Sequence, residues 1–282
     1  MKFAHLADLH LGSWREEKLR QLSTQAFLKA IELCREHQVD FILFSGDLFN
    51  TSIPSLDTLK IITKSLKELK DANIPVYAIA GSHDFSPSGK TMLDVLENAG
   101  LLVNVCKGQV DSETHLLNLR FTQDQKTGAK LTGMLGKKGL LDRVYYQNLS
   151  LENLEKESGY KIFLFHTTLS ELKPKHLERM ESYPLSFLPK NFNYYAGGHV
   201  HYPARLDQPE YGILTYPGPL FPNNFSELEQ LGKGGFYVVS VDDNRENFNT
   251  TLEFVPLEVI PHHPLTLKCA HLSPEVITAQ IL

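Results

Sequence analysis

Five short words in this sequence carry side chains that bind metals or move protons. They are Asp8-Leu9-His10, Gly46-Asp47-Leu48-Phe49-Asn50, Gly81-Ser82-His83-Asp84, the lone His166, and Gly198-His199-Val200-His201. Taken singly, each has an ordinary explanation. An Asp-X-His triplet arises often by chance, Gly-Asp-Leu-Phe-Asn reads as a turn closing a strand, and Gly-His-Val-His reads as a turn with a core histidine. Their common setting argues otherwise. The first four directly follow the apolar runs 3–7, 41–45, 76–80 and 162–165, and the fifth follows 194–196. In an open α/β sheet the carboxyl ends of the strands form the crevice where ligands bind, so residues distant in the chain converge there.

The chemistry these types would perform is phosphoryl transfer between two cations. Carboxylates with imidazoles suit manganese, iron or zinc, whereas all-oxygen sets suit magnesium or calcium. The i, i+2 spacing of Asp8/His10 and of His199/His201 predicts, for an extended strand end, that each pair shares one side and reaches one metal. Gly46, Gly81 and Gly198 are expected to permit the tight turns that aim the ligands. Two metals about 3.5–4 Å apart clamp the attacking and leaving oxygens of a phosphoryl transfer, and Asp47 is the natural bridge. Asp84 is expected either to orient His83 or to hold a turn. The other histidines (His5, His37, His115, His176, His262, His263 and His271) are assigned to structure or surface. Simple alternation puts His5 on the opposite side of its strand from His10. Lys137-Lys138 and the cluster Lys173, Lys175, His176 and Arg179 either contact phosphates or are solvated faces.

The elements that must position these groups are legible in the first hundred residues. Strands at 2–7, 41–45 and 75–80 alternate with helices near 17–37, 56–69 and 92–99, where Leu19, Leu22, Ala26, Ala30 and Cys34 recur at helical spacing. Strands alternating with helices imply an α/β sheet covered on both faces. Further on, 116–121 and 131–134 read as strands, 140–154 as a helix, and 162–165 and 194–196 as strands. The last third (204–206, 212–216, 236–241 and 251–255) reads as antiparallel. The prolines of LEVIPHHPLTL suggest a linker, and the remaining C-terminal segment is too short for an independent domain. The division is therefore 1–256 and a linker plus partial second domain over 257–282, with a truncated chain expected.

Bulk properties narrow the class. The 282 residues suffice for one large domain, and 42% hydrophobic with 22% charged residues is ordinary for a packed protein. No apolar run approaches the ~20 residues of a membrane span, and His5, Asp8 and His10 interrupt the N-terminal run as no signal peptide is interrupted. Three widely separated cysteines without a CxxC spacing argue against a disulfide framework or thiolate site, which makes a reducing cytoplasm the default. A net charge of −5 argues against a generally basic nucleic-acid binder. Two divalent cations would bring it to about −1, so any attraction for a polyanion is expected to be local.

At the residues quoted, the sequence resembles the calcineurin-like metallophosphoesterases, and more closely the meiotic-recombination-eleven, or SbcD-type, nucleases of double-strand-break repair. FAHLADLHLG, FSGDLFN, AGSHD followed by SGKTMLDVLENAGL, AGGHVH, TYPGP and GGFYVV carry the likeness in order over about residues 1–256. The resemblance implies a four-layer α-β-β-α sandwich with mixed sheets, followed by a fragment of a C-terminal cap domain. It implies two divalent ions, most readily manganese, with Asp8, His10 and His201 on the first, Asp47 bridging, and His166 and His199 on the second. Ser82 stands where the family has an asparagine ligand, so a weaker second site is expected. His83 would protonate or stabilise the leaving oxygen, and metal-generated hydroxide would attack in line. Asn50 stands where archaeal members carry a histidine, so the orientation of His83 is expected to differ. The implied activity is 3′-to-5′ exonuclease and single-strand endonuclease cleavage of DNA, by a cytoplasmic, nucleoid-associated enzyme acting at DNA ends. A homodimer through helices near residues 55–100 is expected, and an SbcC-type ATPase partner whose docking segment lies beyond this sequence. A small-substrate phosphodiesterase or nucleotidase on the same metal core is the alternative. A scaffold that has lost activity through Ser82 is a third reading, disfavoured by the intact remaining ligands.

Overall fold

Strand and helix alternate over the first third of the computed structural model, which describes residues 1–86, 89–243, 248–261 and 267–281. The order is β1 (Lys2–Leu6), α1 (Glu17–Glu36), β2 (Phe41–Ser45), α2 (Leu56–Asp71), β3 (Val76–Ile79), α3 (Met92–Asn98) and β4 (Val103–Asn104). Next come β5 (Gly108–Val110), β6 (Leu117–Leu119), β7 (Thr122–Gln123), β8 (Lys130–Met134), α4 (Arg143–Gln147), α5 (Glu152–Lys156), β9 (Lys161–His166) and β10 (Tyr194–Gly198). The chain closes with β11 (Ala204–Gln208), β12 (Gly212–Tyr216), α6 (Phe225–Leu231), β13 (Gly234–Asp243), β14 (Phe248–Leu257) and α7 (Pro274–Ile281). One mixed sheet runs β14-β13-β1-β2-β3-β4 and a second runs β11-β12-β10-β9-β8-β7. β1 through β4 are mutually parallel, as are β8, β9, β10 and β12, while β13, β14, β11 and β7 join antiparallel.

The near-continuous apolar runs of the central strands follow from burial on both faces. Along β2, Ile42 and Phe44 pack under Phe27 of α1 and Leu66 of α2, while Phe41 and Leu43 point the other way, into a core shared with Ile162 and Leu164 of β9. Phe3 stacks on Phe41 at 5.0 Å and meets Tyr194 of the second sheet edge-on at 5.3 Å, so the two sheets face one another. Truncating such a ring costs about 3–5 kcal/mol. On the far side of the second sheet, Tyr146, Leu149 and Leu154 cover Phe163, Phe165 and Leu214. The layers are therefore α-β-β-α. The helices start where side chains take up free backbone amides: Ser55 accepts from Thr58 N, and Thr91 with Asp94 forms a capping box.

Each sheet is covered on both faces as expected, by helices on one side and by the second sheet on the other. Three sequence expectations require correction. The helix expected over 140–154 is broken into a single turn at Lys138–Leu140, α4 and α5. Between α4 and α5 the backbone leaves the helical ladder to pair with β6, with Leu117 N donating to Asn148 O at 2.7 Å and Ser150 N to Leu117 O at 3.0 Å. The last third is not uniformly antiparallel, since β12 lies parallel to β10. The 116–121 strand shortens to β6, paired with β5 in a separate ribbon. Of the expected linker, 262–266 lie outside the described residues, and the segment after it forms α7 without a buried side chain. No helix among the described residues is long and apolar enough to cross a membrane.

Candidate metal centre

The five words converge because β1, β2 and β3 of one sheet and β9 and β10 of the other end on one side of the sandwich. Beyond β1 and β2 the two loops keep bonding: Asp8 N donates to Gly46 O at 3.2 Å, His10 N to Asp47 O at 2.9 Å and Leu11 N to Leu48 O at 3.1 Å. In these loops Asp8 (φ +51°), His10 (φ +43°) and Asp47 (φ +50°) are left-handed, as is His199 (φ +84°) after β10. Non-glycine residues held there cost of order 1–3 kcal/mol each and gather at functional sites. This replaces the extended strand ends expected from the i, i+2 spacing. Asp8 and His10 still come together, but His199 and His201 diverge, because the left-handed turn at His199 rotates the two rings apart. His201 joins Asp8 and His10, while the His199 ring lies 5.2 Å from that of His166.

Of the three glycines, only Gly46 (φ +87°) uses a left-handed turn, and a Cβ there would collide with the His166 ring. Gly81 and Gly198 serve close approach instead: a side chain at Gly81 would strike Asp47, and one at Gly198 would strike Ser45.

Among the described residues, ligand atoms within 4.8 Å of one another form three groups: Asp8, His10 and His201; Asp8, Asp47 and His166; and His10, Asp47 and His83. One oxygen of Asp47, Oδ2, lies 3.6 Å from His10 Nε2 and 3.2 Å from His166 Nε2. The Nε2 atoms of His10 and His201 approach to 3.1 Å. Ser82 Oγ reaches the same Asp47 Oδ2 at 3.4 Å, so the residue in the asparagine position faces the carboxylate expected to bridge. Asp8 and Asp47 are 0% and 2% exposed, and the ion-pairing groups beside them are histidines, with no lysine or arginine among the described residues. Buried carboxylates must be paired or bind cations. Converging imidazole nitrogens, two buried carboxylates and no fixed cation fit a pair of divalent ions, and the nitrogen–oxygen donor mix favours manganese, iron or zinc.

The crowding of buried charges shifts the protonation equilibria in both directions. Burial alone would lower His166, yet the charge of Asp47 beside it lifts its pKa to about 10. Burial drives His10 and His199 down to about 3, which leaves their nitrogens unprotonated as metal ligation requires. Burial raises Asp8, whereas His166 and His10 outweigh burial at Asp47 and hold it below the usual carboxylate range.

Surrounding groups fix each ring. His166 Nδ1 bonds Ser45 O at 2.8 Å and His83 Nδ1 bonds Asn50 O at 2.8 Å, which turns both Nε2 atoms inward. Asn50 therefore acts through its backbone carbonyl rather than its side chain. Asp84 does not orient His83. Its carboxylate accepts from Gly81 N, Leu48 N and Phe49 N at 2.9–3.1 Å and so holds the two turns together, and burial with Asp47 nearby pushes its pKa up to about 7. His5, assigned to structure, is buried between the sheets with Nδ1 2.9 Å from the Tyr194 hydroxyl. Sequence reasoning missed Glu227, whose Oε1 lies 2.9 Å from His201 Nδ1. The signal was Asn224, a helix cap that sets Glu227 in the first turn of α6. Carboxylates behind ligating histidines typically carry 10–100-fold in metal affinity. Glu227→Ala is expected to weaken manganese binding by about that factor in a calorimetric titration, and an unchanged isotherm would separate Glu227 from the metal centre.

Lys137 and Lys138 line a cavity of about 280 Å³ together with Ser82, His83, His166 and His199. Lys173 does not: its ammonium is spent on Glu178 O and Met180 O, bracing the loop after β9. His176 packs edge-on against Tyr202.

Residues 1–203 match the calcineurin-like phosphoesterase family, and the chain belongs to it. It is 28% identical over 275 residues to the DNA double-strand break repair protein Mre11 of Archaeoglobus fulgidus, covering 92% of this chain and 59% of that protein. It is 27% identical over 278 residues to the SbcD component of the nuclease SbcCD of Staphylococcus epidermidis, covering 92% and 70% respectively. The chain thus spans little more than half the length of the first of these relatives. A dimetal phosphatase from Danio rerio superimposes with a TM-score of 0.54 at 11% identity, covering 91% of this chain and 98% of that one, which shows the shared fold. Membership of this family implies a two-metal phosphoesterase centre.

Proposed function

We propose that this protein is a manganese-dependent DNA nuclease of the double-strand-break repair type. The observation that carries the reading is Asp47 Oδ2 lying between His10 Nε2 and His166 Nε2, one carboxylate oxygen facing both halves of the ligand set. Asp8, His10 and His201 would hold one ion, His166, His199 and Ser82 the other, and Asp47 would bridge. When bound, the ions supply Lewis-acid charge neutralisation and an activated water for in-line attack on a phosphodiester. The chain's own residues do the rest. His199 N donates to both oxygens of Asp8, at 2.9 and 3.1 Å, and Glu227 and Ser45 fix the rings of His201 and His166, so the ligand set stays rigid through the reaction. His83 Nδ1–H is committed to the Asn50 carbonyl, so a proton on Nε2 makes the ring an imidazolium that can release it to the leaving oxygen.

The relatives' names support DNA as the substrate, and the cavity lined by candidate metal ligands and two lysines gives a local cationic wall on an acidic protein. We read residues 257–282 as a linker and part of a cap domain, and place the enzyme in the cytoplasm on nucleoid DNA with an SbcC-type ATPase. Exposed apolar Leu56 on α2 and Val95 on α3 support the expected homodimer face.

The test is manganese-dependent release of labelled mononucleotides from end-labelled linear duplex DNA. Intact DNA alongside turnover of a nucleotide monoester would transfer the site to the nucleotidase reading. Ser82→Asn is expected to tighten the weaker manganese site, moving half-maximal activity to lower metal concentration. An unchanged manganese titration would remove Ser82 from the ligand set.

A further inference from the structure

Lys137 follows β8 and stands on one wall of the metal cavity. Its ammonium lies 4.8 Å from the centre of the Phe85 ring and 4.6 Å from that of Tyr145, and donates to the Tyr145 hydroxyl at 3.0 Å. Phe85 comes two residues after His83, and Tyr145 sits on α4, so this cation ties the His83 turn to the helix flanking the cavity. Glu181 also lines the cavity, but among the described residues no carboxylate lies within ion-pair distance of Lys137. Ring faces and one hydroxyl orient an ammonium without neutralising it. The cation is thus held in place with no carboxylate partner among the described residues to compete with an anion in the cavity.

Two divalent ions would already neutralise the phosphate undergoing cleavage. A second, flanking phosphate of the same strand receives nothing from them and requires a cation of its own. Resting on the nuclease reading above, we infer that Lys137 binds the non-bridging oxygens of the phosphodiester next to the scissile one. It thereby selects polynucleotides over substrates with a single phosphodiester. Phe85 and Tyr145 hold the ammonium of this cavity-lining residue in place, so little side-chain freedom is lost on binding.

The experiment compares kcat/KM, with manganese, on a thymidine dinucleotide holding one phosphodiester and on a thymidine tetranucleotide holding flanking ones. Wild type, Lys137→Ala and Lys137→Arg are assayed, with thermal melting to show that each is folded. A charge-assisted hydrogen bond corresponds to about a tenfold to hundredfold effect. Wild type is expected to prefer the tetranucleotide, Lys137→Ala to lose that preference by such a factor, and Lys137→Arg to keep most of it. The salt dependence of tetranucleotide KM should also fall in Lys137→Ala, by a log–log slope of about 0.7 for one lost single-strand phosphate contact. An equal loss on both substrates, or an unchanged ratio, would overturn the flanking-phosphate role. If wild type cleaves neither oligonucleotide but hydrolyses a nucleotide monoester, the nuclease reading itself falls, and this role with it.

Discussion

Replacing His83 with alanine is expected to lower kcat by about 10²–10⁴-fold while manganese stays bound. The ring is turned inward by the Asn50 carbonyl, is less buried than His10 and His166, and opens on the cavity where substrate would sit. It also falls within 4.8 Å of His10 and Asp47 donor atoms, so the geometry alone allows it to be a ligand. The two roles separate cleanly. A proton donor to the leaving oxygen can be removed without loss of metal, so calorimetry should return an unchanged manganese stoichiometry beside the collapsed rate. Loss of one manganese equivalent in His83→Ala would move this residue from proton donor to ligand. A second check is the leaving group. A p-nitrophenyl ester departs without protonation, so the variant's deficit should shrink on that substrate relative to DNA.

Asp47→Ala is expected to abolish turnover and to weaken manganese binding by more than the roughly 100-fold attached to groups behind the ligands. Asp47 meets both halves of the ligand set through Oδ2, accepts from His83 N at 2.7 Å through Oδ1, and keeps its negative charge despite burial. Its loss removes the bridge and the acceptor for the His83 turn together. The readout is thermal stability against manganese concentration. An ion bound only by the native state adds about 2.7 kcal/mol at a hundredfold excess over its Kd, so wild type should show a rising Tm. The variant should show a flat profile. A variant that keeps the wild-type Tm response would exclude Asp47 as the bridge.

The alternating half of the fold was legible because each strand there is buried on both faces and each helix on one. Those two burial patterns leave different periods in the sequence. The helix expected across 140–154 failed for the complementary reason. Its residues have helical spacing, but Asn148 and Ser150 find backbone partners on Leu117, and no local pattern records a partner some thirty residues away. α6 escaped notice because it is short, and its role depends on His201 lying beneath it.

The sequence by itself determined the inventory of the site: which carboxylates and imidazoles are present, and that each follows a strand. The reason is that a strand end leading into a polar turn is a local matter of apolar run, glycine and loop residue. The local spacing put His199 and His201 on one metal; their separation, which the family resemblance implied, follows from the tertiary geometry. The left-handed turn at His199 sends His199 and His201 to different partners, and the registry of two facing sheets sets which rings meet. The structure likewise decided that Asp84 clamps turns, that Asn50 contributes a carbonyl, and that Glu227 stands behind His201. Such contacts reach across tens of residues, and the meeting of His10 with His201 spans 191. Their geometry is fixed by packing of the whole sandwich rather than by any local stretch of it.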